Sequence, residues 1–384
     1  MIRLIILISL ILGGCTSSNV VSNEISNATT LVKAEVKTPT PTPTPEEIKN
    51  EFINKKIENM TLEEKIGQMM FVSLNSPETK GAITTLDTST KEYFEKYKIG
   101  GVLLFAGSME TEEQIKELIK NVKEVNEIPI FVGVDEESRT VSRLKTLYGD
   151  YIDYNKNING NTEAIINQTN IISEKLANLG FNTNFSTIFD VPKGGDSRAF
   201  SNVKEEVAQS VALQVDIYTK NNIISTAKHY PGLGLIETDT HVEKGVYEAD
   251  LNQLKERDLY PYTKVQPPMV MVALSSYPNI TEDEPAIFSE YLLKDVLRGE
   301  LDYKGVTITD ALNMGAVANY YSSEEIALKS LNAGVDIFLM PEDLRIYTET
   351  IKTAVANKTI EEKVIDQSVY RIMSLKYDFL GFTQ

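Results

Sequence analysis

Eight short apolar runs, each followed by a longer amphipathic stretch, predict an α/β fold of the TIM-type (β/α)8 barrel class. Two observations carry that prediction. The runs are rich in Val, Ile and Phe and show little polar alternation, as strands covered on both faces of a parallel sheet must. Polar residues then collect directly after the runs, where a barrel places its ligand-binding groups.

The strand candidates are residues 67–72, 101–105, 130–134, 183–190, 223–229, 269–275, 305–309 and 335–340. Helical periodicity fills the intervals, most clearly over 111–125, 162–179, 203–220, 324–332 and 359–380. A doubly wound open sheet shares this alternation. The polar groups favour the barrel: Asp135 and Glu136, Asp190, Lys228 and His229, Ser275 and Ser276, and Asp310 end different strands, as residues converging on one central pocket would. Residues 46–384 therefore read as a single barrel domain.

A chain of 384 residues with 42% hydrophobic content can bury a core of that size. Its net charge of -17 excludes the usual nucleic-acid partner, since a duplex-binding surface needs clustered cations to displace counterions. It also offers no electrostatic hold on anionic lipid. Another membrane device is visible, however. Arg3 precedes an apolar run over residues 4–12, too short to span a bilayer, and the run ends in Leu12-Gly13-Gly14-Cys15. Residues 1–15 resemble a bacterial lipoprotein signal, in which Cys15, the only cysteine, becomes the lipidated first residue; a plain secretory peptide cleaved nearby is the alternative. Residues 16–45 then read as a disordered linker, with four Thr-Pro repeats over 38–45 that favour an extended spacer of about 3.1 Å per residue. The expected location is the outer face of the cell membrane, held by a lipid on Cys15.

Both histidines of the chain fall within residues 228–241, KHYPGLGLIETDTH. This segment leaves a strand candidate through a Pro-Gly-x-Gly turn, with Gly232 and Gly234 giving the following loop freedom to move. Asp239 and His241 stand two apart, and an aspartate beside a histidine can select its tautomer and raise its basicity for proton transfer. A surface loop without chemistry fits the same spacing. A zinc site built from His229, His241 and Asp239 matches no recurrent ligand spacing. Asp310, at the end of a β-branched run, reads as a nucleophile, a metal ligand or a helix cap.

Taken together, several motifs resemble a known family. Lys228-His229-Tyr-Pro-Gly-Leu-Gly followed by Asp239-Thr240-His241 is similar to the signature of family 3 glycoside hydrolases, in the single-domain β-N-acetylhexosaminidase branch. So, in the family's order, are Met60-Thr-Leu-Glu-Glu-Lys-Ile-Gly-Gln, Ile99-Gly-Gly-Val-Leu-Leu-Phe, Asp135-Glu136-Glu137 with Arg143, Ser197-Arg198-Ala199-Phe200, Leu297-Arg298-Gly-Glu-Leu, Thr309-Asp310-Ala-Leu-Asn-Met and Ala333-Gly334-Val-Asp-Ile-Phe-Leu-Met-Pro. The resemblance implies a retaining exo-β-N-acetylglucosaminidase that trims peptidoglycan-derived or related glycans as a monomer, without metal or cofactor. It assigns Asp310 as the nucleophile that forms a covalent glycosyl-enzyme, and His241, oriented by Asp239, as the general acid and base. It also makes Asp135, Arg143, Arg198, Lys228 and His229 the groups that hold the hydroxyls of the terminal sugar.

Two positions depart from the family's pattern. Ser138-Arg139-Thr140 stands where Gly-Gly-Arg is usual, and Leu274 stands where the sixth strand usually carries histidine. Both changes bear on the shape of the sugar site. A β-glycosidase of shifted specificity and a sugar-binding lipoprotein without turnover are accordingly the alternative functions.

Overall fold

The computed structural model describes residues 42–75, 80–137, 141–150, 161–194, 198–236 and 242–383. The signal segment with Cys15, most of the linker, Ser138-Arg139-Thr140, Asp239 and His241 lie outside the described residues.

Among the described residues, eight strands pair in parallel: β1 Met70–Ser73, β2 Gly101–Leu104, β3 Phe131–Val134, β4 Thr183–Ile188, β5 Ile224–Tyr230, β6 Met269–Val272, β7 Val306–Thr309 and β8 Phe338–Leu339. Each neighbours the next in the chain, and β8 pairs with β1 through Met70 and Phe338. A bridge between Ile308 and Ile337 joins β7 to the approach of β8, with Thr309 N donating to Ile337 O and Ile337 N to Thr307 O, both at 3.0 Å. The ring thus closes, as the barrel reading requires. The strands are buried along nearly their whole length, which explains why the sequence shows apolar runs and not alternation.

Helices Glu112–Lys123, Thr162–Leu179, Lys204–Lys220, Ser323–Ala333 and Glu362–Leu380 occupy the five periodic stretches. The first strand starts later than the apolar run suggests. Thr61 and Glu64 form a reciprocal capping box that starts the helix Leu62–Gln68, so Gly67 is helical and the strand begins at Met70.

Phe71 fills the barrel interior near its base. Its ring packs on Phe185 edge to face, with centroids 5.2 Å apart, and lies parallel to Phe131 at 6.3 Å. This explains glycines in two neighbouring strands. A Cβ at Gly101 would sit 2.5 Å from the Phe71 ring, and one at Gly133 would sit 2.9 Å from it. Beneath this layer the terminal helix inserts a fully buried amine: Lys376 Nζ donates to Gln68 Oε1 at 2.6 Å and to Gly100 O at 3.1 Å, over the face of Phe131. Burial pushes this amine well below the usual lysine range.

The closing strands are tied by Asp336, which is completely buried. Its carboxylate accepts from Arg298 Nη2 at 2.9 Å, Arg371 Nη2 at 2.6 Å, and both the amide and hydroxyl of Thr307. Arg298 belongs to the wide π-type helix Tyr291–Glu300 and Arg371 to the terminal helix, so one carboxylate joins two helices to β7 and β8. The Leu297-Arg298 motif is therefore structural. Burial alone would raise the Asp336 carboxyl, but Arg371 and Arg298 overcome this and hold it below the ordinary aspartate range. Its contribution is then present above pH about 4 and lost as the medium becomes more acidic. Asp336→Ala, which leaves two guanidinium groups facing a void, is expected to cost about 3–5 kcal/mol in denaturant-induced unfolding at pH 7.

Candidate active site

The carboxyl-terminal rim gathers charged side chains from successive strands. After β3 come Asp135, Glu136 and Glu137, and these three adjacent acids have different fates. Glu136 is fully buried and organises its own loop: Oε2 accepts from the amides of Arg143 at 2.7 Å and Leu144 at 2.8 Å, while Oε1 accepts from Ser142 Oγ. Asp135 and Glu137 face the mouth instead. Lys228, at the end of β5, donates to Asp135 Oδ1 at 2.8 Å and to Glu137 Oε1 at 2.6 Å. Arg198 grips Glu137 in two-pronged fashion, Nε to Oε2 at 2.9 Å and Nη2 to Oε1 at 2.8 Å.

The electrostatics follow from this geometry. Burial would raise the Glu137 carboxyl, but the Lys228 ammonium and the Arg198 guanidinium hold it at about 2. Burial likewise works against the Lys228 charge, and Asp135 and Glu137 outweigh it, so its pKa is raised. Two cations and two anions thus form one network that keeps Lys228, almost fully buried, charged at neutral pH. Such a network offers ionic donors and acceptors of preset orientation to a polyhydroxylated ligand.

His229 is held from the other side. Asp190, two residues beyond the end of β4, lies 2.7 Å from His229 Nδ1 and also accepts from the amides of His229 at 3.2 Å and Leu233 at 2.8 Å. With Nδ1 hydrogen-bonded to this carboxylate, the ring's orientation is fixed and Nε2 is left for another partner. Burial opposes ionisation of Asp190, but His229 and these amides lower its pKa. Arg143 approaches from the Glu136 loop, its guanidinium carbon 5.5 Å from the ring centre of Phe105 and its Nε buried without a hydrogen-bond partner among the described residues.

Asp310 stands at the end of β7, partly exposed. Its amide donates to Val272 O at 2.9 Å, and its Oδ1 accepts from the amide of Ala311 at 2.7 Å. The helix-cap alternative does not hold: the next helix, Gly315–Ala318, begins after Met314. Five of the sequence-derived residues, Asp135, Arg198, Lys228, His229 and Asp310, therefore end up on the rim, with Arg143 beside them. Glu137 and Asp190 were not singled out as site residues, although each is the direct partner of one that was. The Asp-Glu-Glu run was the signal for Glu137 and the strand-end position that for Asp190, but spacing alone does not say which of three adjacent acids turns inward.

The glycine-rich turn departs from the expectation of a free hinge. At Gly232, with φ +145°, a Cβ would collide with the side chain of Asp258, and at Gly234 one would strike the carbonyl of Val191. The carbonyl of Gly232 accepts from Tyr277 Oη at 2.9 Å, and that of Gly234 from Lys193 N at 3.0 Å. These glycines permit close packing that pins residues 232–234. Asp258 itself is buried beneath the turn, with Oδ2 accepting from Tyr247 and Arg257 while Oδ1 has no partner among the described residues. On the far side of the loop, Val242 O accepts from Asn319 Nδ2 at 3.3 Å and lies against Gly315. Leu274, at the departure noted in the sixth strand, is 1% exposed and belongs to the core.

Residues 61–375 match the glycosyl hydrolase family 3 N-terminal domain. Similar proteins include β-hexosaminidase A of Pseudoalteromonas piscicida, 27% identical over a 365-residue alignment that covers 83% of this chain and 61% of that protein. A β-hexosaminidase of Nitrosomonas eutropha is 28% identical over 277 residues, 68% of this chain and 78% of its own length. Among solved structures, a family 3 β-N-acetylglucosaminidase from Paenibacillus sp. str. FPU-7 superposes with a TM-score of 0.76 at 24% identity, covering 85% of this chain and 64% of that one, and supports the barrel fold. This chain thus spans less than two thirds of the Pseudoalteromonas and Paenibacillus proteins. With most of its length matched by the family's domain and a barrel whose rim carries the charged network, the chain belongs to glycosyl hydrolase family 3.

Proposed function

We propose that this protein is a retaining exo-β-N-acetylglucosaminidase that releases terminal β-linked N-acetylglucosamine from peptidoglycan-derived or related glycans. The observation that carries the reading is the arrangement around Asp310. The ionic network of Asp135, Glu137, Arg198 and Lys228 stands on the same rim, and Val242, the residue after His241, rests on Gly315 and Asn319, just beyond Asp310. The names of the two bacterial relatives point to the same substrate class.

The chemistry needs only side chains and water. The network, with His229 and Arg143, holds the hydroxyls of the terminal sugar. An Asp310 carboxylate oxygen attacks the anomeric carbon while the bond to the leaving oxygen breaks, and His241 donates its proton to that oxygen. The neutral imidazole, oriented by Asp239, next removes a proton from water. The resulting attack at the anomeric carbon releases Asp310 and the sugar with its configuration retained. A histidine with an ordinary pKa of about 6.5 suits both half-reactions near neutrality. A lipid on Cys15 would hold the enzyme at the outer face of the cell membrane, with residues 16–45 as the stalk.

Three tests follow. Wild type is expected to hydrolyse 4-nitrophenyl β-N-acetylglucosaminide in preference to the glucoside, Asp310→Ala to abolish turnover, and His241→Ala to lose about 10²–10⁴-fold on a poor leaving group but far less on an activated one. Preference for the glucoside would favour shifted specificity, release from neither a binding protein, and cleavage by Asp310→Ala would refute the mechanism. Cells fed labelled palmitate should label the wild-type protein and not Cys15→Ala; an unlabelled wild type would remove the anchor. The turn beneath the loop gives a pH test. Burial raises the Asp258 carboxyl from 3.8 to about 7, against Arg257 and with Asp190 adding to the rise. Its folded-state pKa lies above its unfolded one, so the stability it contributes is complete below pH about 4 and lost as pH rises through about 7. Asp258→Asn cannot ionise, so its melting temperature relative to wild type should be higher at pH 8 than at pH 5; an equal offset at both would show that Asp258 does not titrate in this range.

A further inference from the structure

A cavity of about 390 Å³ opens on the same rim between the ends of β1 and β8. Its polar lining comes from Ser73 at the end of β1 and Asn75 just after it, Lys80, Tyr93 on the helix Thr88–Tyr97, Asn313 after β7, and Glu342 after β8. Asn313 lies three residues beyond Asp310, at most about 11 Å from it along the chain. The intervening segment is held against β8, because Leu312 N donates to Leu339 O at 2.9 Å. Asn313, on the cavity wall, thus belongs to the short β8-anchored segment that begins with the proposed nucleophile.

The lining has a definite chemistry. Two amides and a hydroxyl can each donate or accept, and Asn75 Nδ2 already donates to Ser73 Oγ at 3.2 Å, which orients both. Tyr93 supplies an aromatic face and is steadied by Tyr97, edge to face with centroids 5.0 Å apart. Burial pushes the Tyr93 hydroxyl up to about 12, so it remains a neutral donor at any working pH. Lys80 and Glu342 contribute one charge of each sign, which leaves the cavity neutral overall. Uncharged amides, an aromatic face and a balanced charge pair suit a polar, ring-shaped, uncharged group.

We propose that this cavity is the leaving-group subsite, which takes the pyranose on the reducing side of the scissile bond and hydrogen-bonds its hydroxyl and acetamido groups through Asn75, Asn313 and Glu342. The proposal rests on the N-acetylglucosaminidase reading above and adds the side of the substrate that the ionic network does not touch. A sugar leaving group gains these hydrogen bonds, whereas 4-nitrophenolate, which has no hydroxyls to donate, gains few of them.

The experiment compares kcat/KM on N,N′-diacetylchitobiose and on 4-nitrophenyl β-N-acetylglucosaminide for wild type, Asn75→Ala and Glu342→Ala. Glu342 is exposed, so its replacement does not threaten the fold. Each variant is expected to lose about three- to ten-fold on the disaccharide, the effect of one hydrogen bond, and to stay within about two-fold of wild type on the aryl glycoside. Equal losses on both substrates would mean a structural role, and no loss on either would mean an unused cavity; both overturn the subsite alone. A wild type that cleaves neither substrate would overturn the underlying N-acetylglucosaminidase reading and the subsite with it.

Discussion

Barrel closure depends on one buried carboxylate. Eight parallel strands form a ring only if the last is brought to the first, and β8 is the shortest strand, contributing two residues to the sheet. A strand so short adds few ladder hydrogen bonds of its own. Asp336, just before it, compensates by binding the Thr307 amide of β7 and guanidinium groups from two outer helices. A buried ion pair of this kind is valuable through geometry, since removing either partner strands a charge in a low-dielectric interior. The rim repeats the device: Glu137 collects Lys228 and Arg198 as Asp336 collects Arg298 and Arg371. One hub closes the barrel near the base, and the other organises the mouth.

The two hubs differ in what they leave available. Asp336 is saturated by its partners and fully enclosed, as a structural group should be. At the mouth, Asp135 and Arg198 keep part of their surface in contact with solvent, with side-chain exposures of 18% and 32%. Charge there is balanced but accessible, so a ligand can displace water without breaking the pairs that hold the cluster. Partial exposure also marks Asp310, whose backbone amide is tied to β6 through Val272 O.

Much of the fold was legible because a buried parallel strand has little choice of residue. The Val-, Ile- and Phe-rich runs located every strand, and helical periodicity located the three longest helices, Thr162–Leu179, Lys204–Lys220 and Glu362–Leu380, with two shorter ones. Boundaries failed where local capping competed with hydrophobicity, as at Thr61 and Glu64, where a capping box carries the helix into the first apolar run. Residues of the site were legible as types and as family positions. Their pairings were not: three successive acids, Asp135, Glu136 and Glu137, look alike in sequence, and only the path of the chain after β3 sends the middle one into the loop and its neighbours to the mouth. Gly232 and Gly234 illustrate the same limit. A glycine in a loop can mean freedom or close approach, and the decision rests with distant residues, here Asp258 and Val191.

Phe71 occupies space that belongs, by sequence, to three strands. Because the missing Cβ atoms of Gly101 and Gly133 leave room for its ring, sliding β1 by one residue would turn that ring outward and leave both hollows empty. The strand alignment of the first third of the barrel is thus keyed by shape. A substitution at any one of these three positions must be answered at another, so they behave as one unit of inheritance spread over sixty residues of chain.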